Sequence, residues 1–303
     1  MARTRIEVSS VGFVARRALS SPGRCKVMAV FKAGFYVAVE GSSVFVTAAA
    51  ANAGPLTLLC DPASNMDWRR SPIDAGTACR VDHGRLDVGE SFIFPFEAAM
   101  TWRPPAAVAF SPKSLASALR DLNMAAKGQV PQDGLGGLAF PPANGGGNID
   151  VTGRAREPVS RLGAWLAAGL SGPSMPEAAP PDLSGLLGLG PGLTPSGDDF
   201  LGGALIALNA LGRADLAEAL YASVREDVAL HGNAISASLL GAAAEGAGNG
   251  HLHDCLEALL GHGDKDIGAC LPGISAFGHT SGWDALAGMA MTLRCVLASQ
   301  QCD

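Results

Sequence analysis

The stretch Gly188-Leu-Gly-Pro-Gly-Leu-Thr-Pro-Ser-Gly-Asp-Asp199 runs directly into the apolar segment 200–211, and it decides how the second half of the chain is organised. Three glycines in five residues favour a tight loop with little side-chain cover. Thr194, Pro195 and Ser196 are typical of a helix start, because a hydroxyl can cap a helix and proline suits its first turn. The helix that follows is nearly free of charge beyond its acidic pair. We therefore expect a core helix whose N-terminal N–H groups can bind an anion.

A second copy of this pattern lies near the C-terminus. Ser196-Gly-Asp-Asp-Phe-Leu-Gly-Gly203 aligns without gaps on Ser281-Gly-Trp-Asp-Ala-Leu-Ala-Gly288, and a threonine, Thr194 or Thr280, stands before each serine. The similarity predicts that the two motifs converge in space and form one site. The simpler alternative is that Ser-x-x-Asp before an apolar run is a capping-box pattern that only starts helices.

Composition restricts the class of protein. A length of 303 residues is enough for one large domain or two of ordinary size. Hydrophobic residues make up 48% and charged residues only 17%, so much of the chain is expected to be buried within or between subunits. The net charge of −6 and the lack of any basic cluster exclude a nucleic-acid partner, since binding phosphates requires a basic patch.

The hydropathy and cysteine patterns favour a cytoplasmic protein. The longest charge-free helical run, 200–212, is too short to span a bilayer, so no membrane association is predicted. Seven cysteines show no Cys-x-x-Cys spacing, which is typical of reduced, mostly buried thiols in the cytosol.

The periodicity of apolar residues predicts an α+β protein. Residues 1–110 alternate in the manner of short antiparallel strands, which indicates a β-rich domain resembling a barrel or a sandwich. Residues 111–182 are predicted to be a connector with two helices, 111–126 and 158–170, and with Gly- and Pro-rich segments. Residues 183–303, which carry the central motif, are predicted to be an α-helical domain. Its later helices are expected at 216–230, 235–245, 251–260, 267–276 and 283–299.

The central loop does not fit the familiar nucleotide-binding motifs. Gly192 and Gly197 have the spacing of a P-loop, but Asp198 and Asp199 stand where Lys and Ser or Thr are required. Carboxylates suit Mg²⁺, which commonly bridges protein carboxylates and substrate phosphates, so Asp198 and Asp199 are candidate metal ligands with Mg²⁺ as the candidate cofactor. The alternative for this pair is favourable placement against the helix dipole.

Candidate site residues follow from the two motifs. The candidate catalytic residues are Asp199, its counterpart Asp284, and His279, which precedes the second motif and is the candidate general acid or base. A local structural role for His279 remains the alternative. The candidate ligand-binding residues share the two helix starts and are Gly190, Gly192, Thr194, Ser196, Gly197, Thr280, Ser281 and Gly282.

Three segments together carry a resemblance to a known family: the central motif, Ile235-Ser-x-x-Leu with the following Ala-Glu-Gly246, and Gly278-His-Thr-Ser-Gly-Trp-Asp284. The chain resembles the family catalogued as domain of unknown function 2877, which includes a protein similar to the third subunit of oxamate carbamoyltransferase. The resemblance covers roughly residues 183–295, and it extends to the β-rich region only in general layout.

The resemblance implies a subunit of a complex that interconverts oxalurate plus phosphate with oxamate plus carbamoyl phosphate, in ureide and purine breakdown. It implies a small anionic or phosphorylated substrate, with other carbamoyltransferase subunits or further copies of this chain as partners. Whether this chain is itself a transferase stays open, because the catalytic work can belong to partner subunits. The alternative function is a non-catalytic assembly or ligand-sensing protein whose motifs only cap core helices.

Overall fold

The structure is a computed structural model that describes residues 3–106, 109–140, 149–172, 174–231, 233–261 and 266–299. The chain divides into two compact units, Met1–Pro104 and Pro105–Asp303. The division at 110 and 182 that we derived from the sequence stays a prediction. The glycine-rich part of the expected connector, 141–148, lies outside the described residues.

The first unit is built from strands. Its elements are β1 (Thr4–Arg5), β2 (Val8–Gly12), the helix α1 (Phe13–Ala18), β3 (Gly23–Val30), β4 (Gly34–Val39), β5 (Ser42–Thr47), β6 (Thr57–Cys60), β7 (Ala78–Asp82), β8 (Arg85–Val88), β9 (Phe92–Pro95) and β10 (Met100–Trp102). These strands form one mixed sheet in the order β1-β9-β8-β7-β3-β4-β5-β6-β2-β10.

The sheet curls into a half-barrel. β1 forms one edge, whereas β2 lies next to the opposite edge, yet only Ile6 and Glu7 separate the two strands in the chain. Two residues span only about 7 Å, so the two ends of the sheet must approach each other. The prediction of a β-rich, barrel-like N-terminal region is confirmed.

The half-barrel is filled from one face of each strand. Phe35, Val37 and Val39 alternate along β4 and are all buried, as expected for a strand with one face in the core. Trp68 packs edge-on against Phe35, with ring centroids 5.0 Å apart, and also contacts Phe94. These rings give the first unit a hydrophobic core of its own.

Two-residue turns set the register of two hairpins. Glu40 and Gly41 join β4 to β5, and both have positive φ values of 45° and 79°. His83 and Gly84 join β7 to β8 in the same way. Positive φ at both central positions marks a type I′ turn, whose twist matches that of the paired strands.

The second unit is helical. Its helices are α2 (Pro112–Ala125), α3 (Gly136–Ala139), α4 (Ile149–Leu170), α5 (Ser196–Ala210), α6 (Ala214–His231), α7 (Ala234–Ala244), α8 (Gly250–Leu260), α9 (Ile267–Ala276) and α10 (Ser281–Ser299). The prediction of an α-helical C-terminal region is confirmed. Helix α4 starts at Ile149 rather than at the predicted Pro158, because a proline inside a helix removes one hydrogen bond without necessarily ending the helix.

Helix α5 lies at the centre of the helical core. Phe200, Leu201 and Leu205 are almost completely buried, as are most other residues of the helix. The only charges in α5 are those of Asp198 and Asp199 in its first turn, so the helix has no polar face to turn towards water. It packs against α6, α7 and α10. Among the helices of the described residues, none combines the length and the hydropathy needed to cross a membrane.

Candidate functional site

Helices α5 and α10 cross in close contact through their glycines. A Cβ on Gly203 would overlap the carbonyl oxygen of Ala285, and a Cβ on Gly288 would overlap the carbonyl oxygen of Phe200. Each glycine is the last residue of its eight-residue motif, and each carbonyl belongs to the fifth residue of the other motif. The contacts are therefore reciprocal, as they would be around a local two-fold axis. The prediction that the two motifs converge in space is confirmed.

The loops before the two helices are packed in equivalent ways, each onto the start of its own helix. The N–H of Gly197 donates to Leu189 O (3.0 Å), and the N–H of Gly282 donates to Phe277 O (3.1 Å). A Cβ on Gly197 would overlap a further loop carbonyl, that of Leu186. Both glycines thus fix the loops onto the helices. Both N–H groups donate to these loop carbonyls, and the assignment of Gly197 and Gly282 as ligand-binding residues stays a prediction.

The first carboxyl group of the site reaches across to the second motif. Asp199 lies against the hydroxyls of Ser281 and Thr194, and each hydroxyl lowers the pKa of its carboxyl group. Thr194 Oγ1 and Ser281 Oγ are themselves 2.8 Å apart and share a hydrogen bond. Pro195 occupies the N-cap position of α5, and no side chain caps that helix. Thr194 and Ser196 thus do not act as the simple caps that the sequence allowed.

The second carboxyl group reaches back to the first motif. Asp284 is fully buried, and its Oδ1 accepts hydrogen bonds from the N–H groups of Leu135 (2.5 Å) and Gly136 (3.1 Å). The hydroxyls of Ser196 and Thr280 lie close enough to lower the pKa of Asp284. Each aspartate therefore faces the serine of the opposite motif.

Three buried polar atoms of this cluster have no hydrogen-bond partner among the described residues: Ser196 Oγ, Asp199 Oδ2 and Asp284 Oδ2. Ser196 approaches Asp284, but its oxygen does not reach a geometry that makes a full hydrogen bond. Leaving a buried polar group unpaired costs about 1–3 kcal/mol, so such atoms in a native protein call for an explanation. A ligand with hydrogen-bond donors and acceptors would give each of the three atoms a hydrogen-bond partner.

The electrostatics of the pair follow from its burial. The pKa of Asp199 is raised well above 3.8, first because burial disfavours the charged form and second because the negative charge of Asp284 lies nearby. Burial likewise raises the pKa of Asp284, against the opposing effect of its hydrogen bonds. Two neighbouring buried carboxyl groups share a proton more readily than they both ionise.

Asp198 has a different environment from Asp199. Its Oδ1 accepts from the N–H of Gly188 (2.9 Å) and its Oδ2 from the hydroxyl of Ser236 in α7 (2.5 Å). Burial raises its pKa, and these two donors lower it. Both oxygens are thus engaged in tying the central loop to α7. The part of the chain that the structure describes contains no group of three or more His, Cys, Asp or Glu side chains that could hold a metal ion, and the assignment of Asp198 and Asp199 as Mg²⁺ ligands stays a prediction.

His279 lies at the exposed rim. Its Nε2 is 2.9 Å from Asp133 Oδ2, and its side chain is 78% exposed. Because the imidazole is exposed whereas Asp284 is buried, His279 stands beside the cluster rather than inside it. A role as general acid or base remains a prediction.

Two glycines of the central loop allow backbone conformations that other residues rarely adopt. Gly190 and Gly192 both have φ values near 100°, which other residues rarely adopt. A Cβ on Gly190 would press against Ser196 Oγ, whereas Gly192 has open space around it. Gly190 is therefore a close neighbour of the cluster, and Gly192 shapes the outer part of the loop.

Some contributors to the site were missed by the sequence reasoning. The segment 133–136 encloses Asp284: Leu135 and Gly136 donate to its carboxyl group, and a Cβ on Gly134 would overlap it. Ser236, which binds Asp198, was also missed. The glycines at 134, 136 and 137 were the available signal, since they allow backbone to approach a buried group closely.

A pocket opens between α5, α7 and α8, and Asp199 is among its lining residues. Its volume is about 420 Å³ including the space at its mouth. Its polar lining comes from Asp198, Asp199, Ser236 and Asn249, and its apolar lining includes Ile206, Leu239, Leu240, Leu252 and Phe277. Asp199 thus belongs both to the two-motif cluster and to the lining of a mainly apolar pocket.

The fold and the site define a class: a two-unit protein whose helical unit joins two Ser-Gly-x-Asp helix starts in one buried polar cluster. Within that class, residues 186–293 match the family described as oxamate carbamoyltransferase subunit AllH. The matched segment contains both motifs, α5 and most of α10, which confirms the resemblance to the carbamoyltransferase subunit over this part of the chain. Neither a curated protein nor a solved structure matched the chain.

Proposed function

We propose that this chain is a subunit of a carbamoyltransferase-type complex in which the N-terminal ends of α5 and α10 bind a small anionic or phosphorylated substrate. The observation that carries the proposal is the reciprocal placement of Asp199 and Asp284 against the hydroxyls of the opposite motif. The family match over the same segment supports a subunit of an oxamate carbamoyltransferase system, and with it a role in purine catabolism.

The chemistry of such substrates fits the unpaired atoms. Oxamate and carbamoyl phosphate each carry an NH₂ group beside a carbonyl and an anionic group. The NH₂ group offers two donors, which Asp199 Oδ2 and Asp284 Oδ2 can accept. The hydroxyl of Ser196 and the positive ends of two helix dipoles favour the anionic group.

The raised pKa values of Asp199 and Asp284 reduce the negative charge that an anionic ligand meets in the site. A pair that holds a proton repels an anion less than two carboxylates would.

Carbamoyl transfer from oxalurate to phosphate breaks the bond between the carbamoyl carbon and nitrogen, forms a bond from that carbon to a phosphate oxygen, and moves one proton from phosphate to the oxamate nitrogen. A carboxyl group with a raised pKa can take up and return that proton. His279, bonded to Asp133, is the candidate for exchanging it with solvent.

This arrangement is compatible with a divalent cation that enters the site together with the substrate. Mg²⁺ commonly keeps several waters and uses one or two carboxylates together with substrate phosphates. Asp199 has an unpaired oxygen to offer, whereas Asp198 would first have to release Gly188 or Ser236. Any Mg²⁺ would therefore bind together with the phosphorylated substrate, and Asp199 would be its main protein ligand.

Calorimetric titration tests the proposal directly. The purified protein is titrated with oxamate, carbamoyl phosphate and phosphate, each with and without Mg²⁺. Ser196→Ala should weaken the binding of at least one of these ligands roughly tenfold or more, because a hydrogen bond to a charged group contributes about 1.5–3 kcal/mol. The melting temperature should stay the same or rise slightly, since the variant removes a buried hydroxyl that has no hydrogen-bond partner among the described residues.

Ser223→Ala is the matched control, because its hydroxyl donates to a carbonyl of its own helix, Leu220 O (2.8 Å), and has no other partner among the residues that the structure describes. It should leave every affinity unchanged. If the wild-type protein binds none of the ligands, alone or together with its partner subunits, the two motifs only build the helical core. The non-catalytic assembly function would then be the better description.

Partners and activity require separate measurements. Co-purification should recover other carbamoyltransferase subunits, and light scattering of the isolated chain reports whether it forms a homo-oligomer. Formation of carbamoyl phosphate from oxalurate and phosphate is assayed with the isolated chain and with the assembled complex. Activity of the complex that is lost in Asp284→Asn, with assembly intact, would assign the chemistry to this subunit.

A further inference from the structure

We propose that Cys25 and Cys79 are a peroxide-reactive pair of thiols that forms a reversible disulfide between β3 and β7. Cys25 is the thiol that reacts with the peroxide, and Cys79 is the thiol that then closes the disulfide. This inference goes beyond the proposed function, since the pair lies in the strand-rich unit and uses no residue of the two motifs. The cysteines that the structure describes are all free thiols, so the structure represents the reduced form.

The first argument is the register of the two strands. β3 pairs antiparallel with β7, and Cys25 stands directly opposite Cys79 in this pair. Directly opposite residues of antiparallel strands have Cα atoms about 4.5–5.5 Å apart and side chains on the same face of the sheet. A disulfide needs Cα atoms roughly 4.4–6.8 Å apart. The backbone of the reduced protein therefore already holds the two cysteines at a distance that a disulfide can bridge.

The second argument is the contact between the two sulfur atoms. A hydrogen bond from the thiol of Cys79 lowers the pKa of Cys25 and raises that of Cys79, while burial acts to raise both. The S–H of Cys79 also has a carbonyl acceptor, Thr77 O (3.4 Å). A thiolate at Cys25 competes with this carbonyl, because an ionised acceptor forms the stronger hydrogen bond. The pair therefore holds its negative charge on Cys25, and the thiolate is the form that reacts.

The third argument is the exposure of the two thiols. Cys25 is half-buried at the margin of the half-barrel core, whereas Cys79 is only 5% exposed. A small oxidant can thus reach the first sulfur, and the second is shielded beside it. An accessible thiol of lowered pKa next to a second cysteine is the arrangement of redox-sensing proteins. Cys60 on β6 has neither property, since it is buried and burial raises its pKa to about 12.

The reaction takes hydrogen peroxide as its oxidant and balances in two steps. The thiolate of Cys25 attacks one peroxide oxygen, so that an S–O bond forms and the O–O bond breaks. The hydroxide that leaves takes up the proton that Cys25 gave to solvent, and Cys25 is then a sulfenic acid. The sulfur of Cys79 next attacks the sulfur of Cys25: the S–S bond forms, the S–O bond breaks, and the second hydroxide leaves with the proton of Cys79 as water. Two thiols are thus oxidised to one disulfide, and one peroxide is reduced to two waters.

The experiment treats the reduced full-length protein with hydrogen peroxide, alkylates the remaining thiols and maps the products by mass spectrometry. The expected product is a disulfide between Cys25 and Cys79 of one chain, and dithiothreitol should restore both thiols. Cys25 should be consumed at least about tenfold faster than Cys295, because the thiolate is the reactive form. Cys295 is likewise half-buried, but burial raises its pKa. Equal rates for these two thiols, or a disulfide from Cys25 to any other cysteine, would overturn the proposal.

Two variants separate the roles of the two thiols. In Cys79→Ser, dimedone should trap a sulfenic acid at Cys25, because no second thiol displaces the oxygen. In Cys25→Ser, Cys79 should stay reduced at the peroxide concentration that oxidises the wild type. Cys295→Ser is the matched control and should form the disulfide as the wild type does.

Circular dichroism shows whether each variant is folded, and the peptide map of the wild type tests the pairing independently of all three. A folded Cys79→Ser variant that dimedone does not label at Cys25 contradicts the assignment. Oxidation of Cys79 that proceeds unchanged in Cys25→Ser contradicts it as well.

Discussion

Asp199 is the residue in which the burial of charge has the largest consequence. The residue as a whole is partly buried, but its Oδ2 is enclosed without a partner, and Asp284 stands nearby. Both features favour the protonated form and raise the pKa above the ordinary value of 3.8. Because the pKa is higher in the folded than in the unfolded state, the stabilising contribution of this group is fully present below pH 3.8. It is lost as the pH rises through the raised pKa.

The first prediction concerns the pH dependence of stability. Asn resembles the protonated carboxyl group and does not ionise, so Asp199→Asn should melt at a higher temperature than the wild type at neutral pH. The difference should shrink as the pH falls towards 4. Thermal melts between pH 4 and pH 8 measure it. Asp121→Asn, on the exposed surface of α2, should follow the wild-type curve, and a variant at Asp199 that melts lower at pH 8 would contradict the burial argument.

At the scale of elements, the contact between α5 and α10 depends on the absence of side chains. Gly203 and Gly288 each let a carbonyl oxygen of the other helix approach the space where a Cβ would stand. Glycine in a helix costs roughly 0.5–1 kcal/mol relative to alanine, so its use twice in a core crossing has to be offset by close packing. Because the two helices lie so close together, each aspartate contacts the serine of the other helix.

The second prediction tests this crossing with two neighbouring residues. Gly203→Ala should destabilise the protein by roughly 1–3 kcal/mol or more, because the new Cβ meets backbone that cannot move aside. Gly202→Ala should be neutral or stabilising by up to about 1 kcal/mol, since its Cβ makes an ordinary contact and alanine favours the helix. Urea unfolding of both variants gives the difference. Similar midpoints for the two variants would show that the helices are free to separate.

At the scale of the whole molecule, the described residues form two hydrophobic cores that share no residue. One consists of the apolar residues of the half-barrel, and the other of those of the helical unit. A core of this size in each part is what independent folding requires. The family match lies entirely in the helical unit, so the ligand binding that we propose can be tested apart from the half-barrel.

The third prediction follows from this division. A fragment of residues 105–303 should fold alone, unfold cooperatively and keep the binding properties proposed for α5 and α10. Circular dichroism and the same titrations measure this, with the full chain for comparison. A fragment that aggregates or melts without a cooperative transition would mean that the helical core needs the strand-rich unit.

Local patterns in the sequence were sufficient for the class of each unit, for most of the later helices and for the pairing of the two motifs. Alternation of apolar residues predicted the β-rich N-terminal region, and near-helical spacing predicted α6 to α10 within a few residues. These predictions succeed because the periods of strand and helix are properties of the backbone itself. The repeated Ser-Gly-x-Asp likewise predicted convergence, since two equal helix starts can meet around one axis.

What the sequence by itself determined is therefore the helical unit, the β-rich unit, and the identity of the two motifs that meet. Only the tertiary structure decided which atoms form hydrogen bonds. Asp284 accepts from the N–H groups of Leu135 and Gly136, and Asp198 accepts from the hydroxyl of Ser236. Asp199 keeps one carboxyl oxygen without a partner among the described residues. The physical reason is that burial and hydrogen bonding are set by groups distant in the chain. Periodicity shows which face of a helix is buried, but not which neighbour covers it.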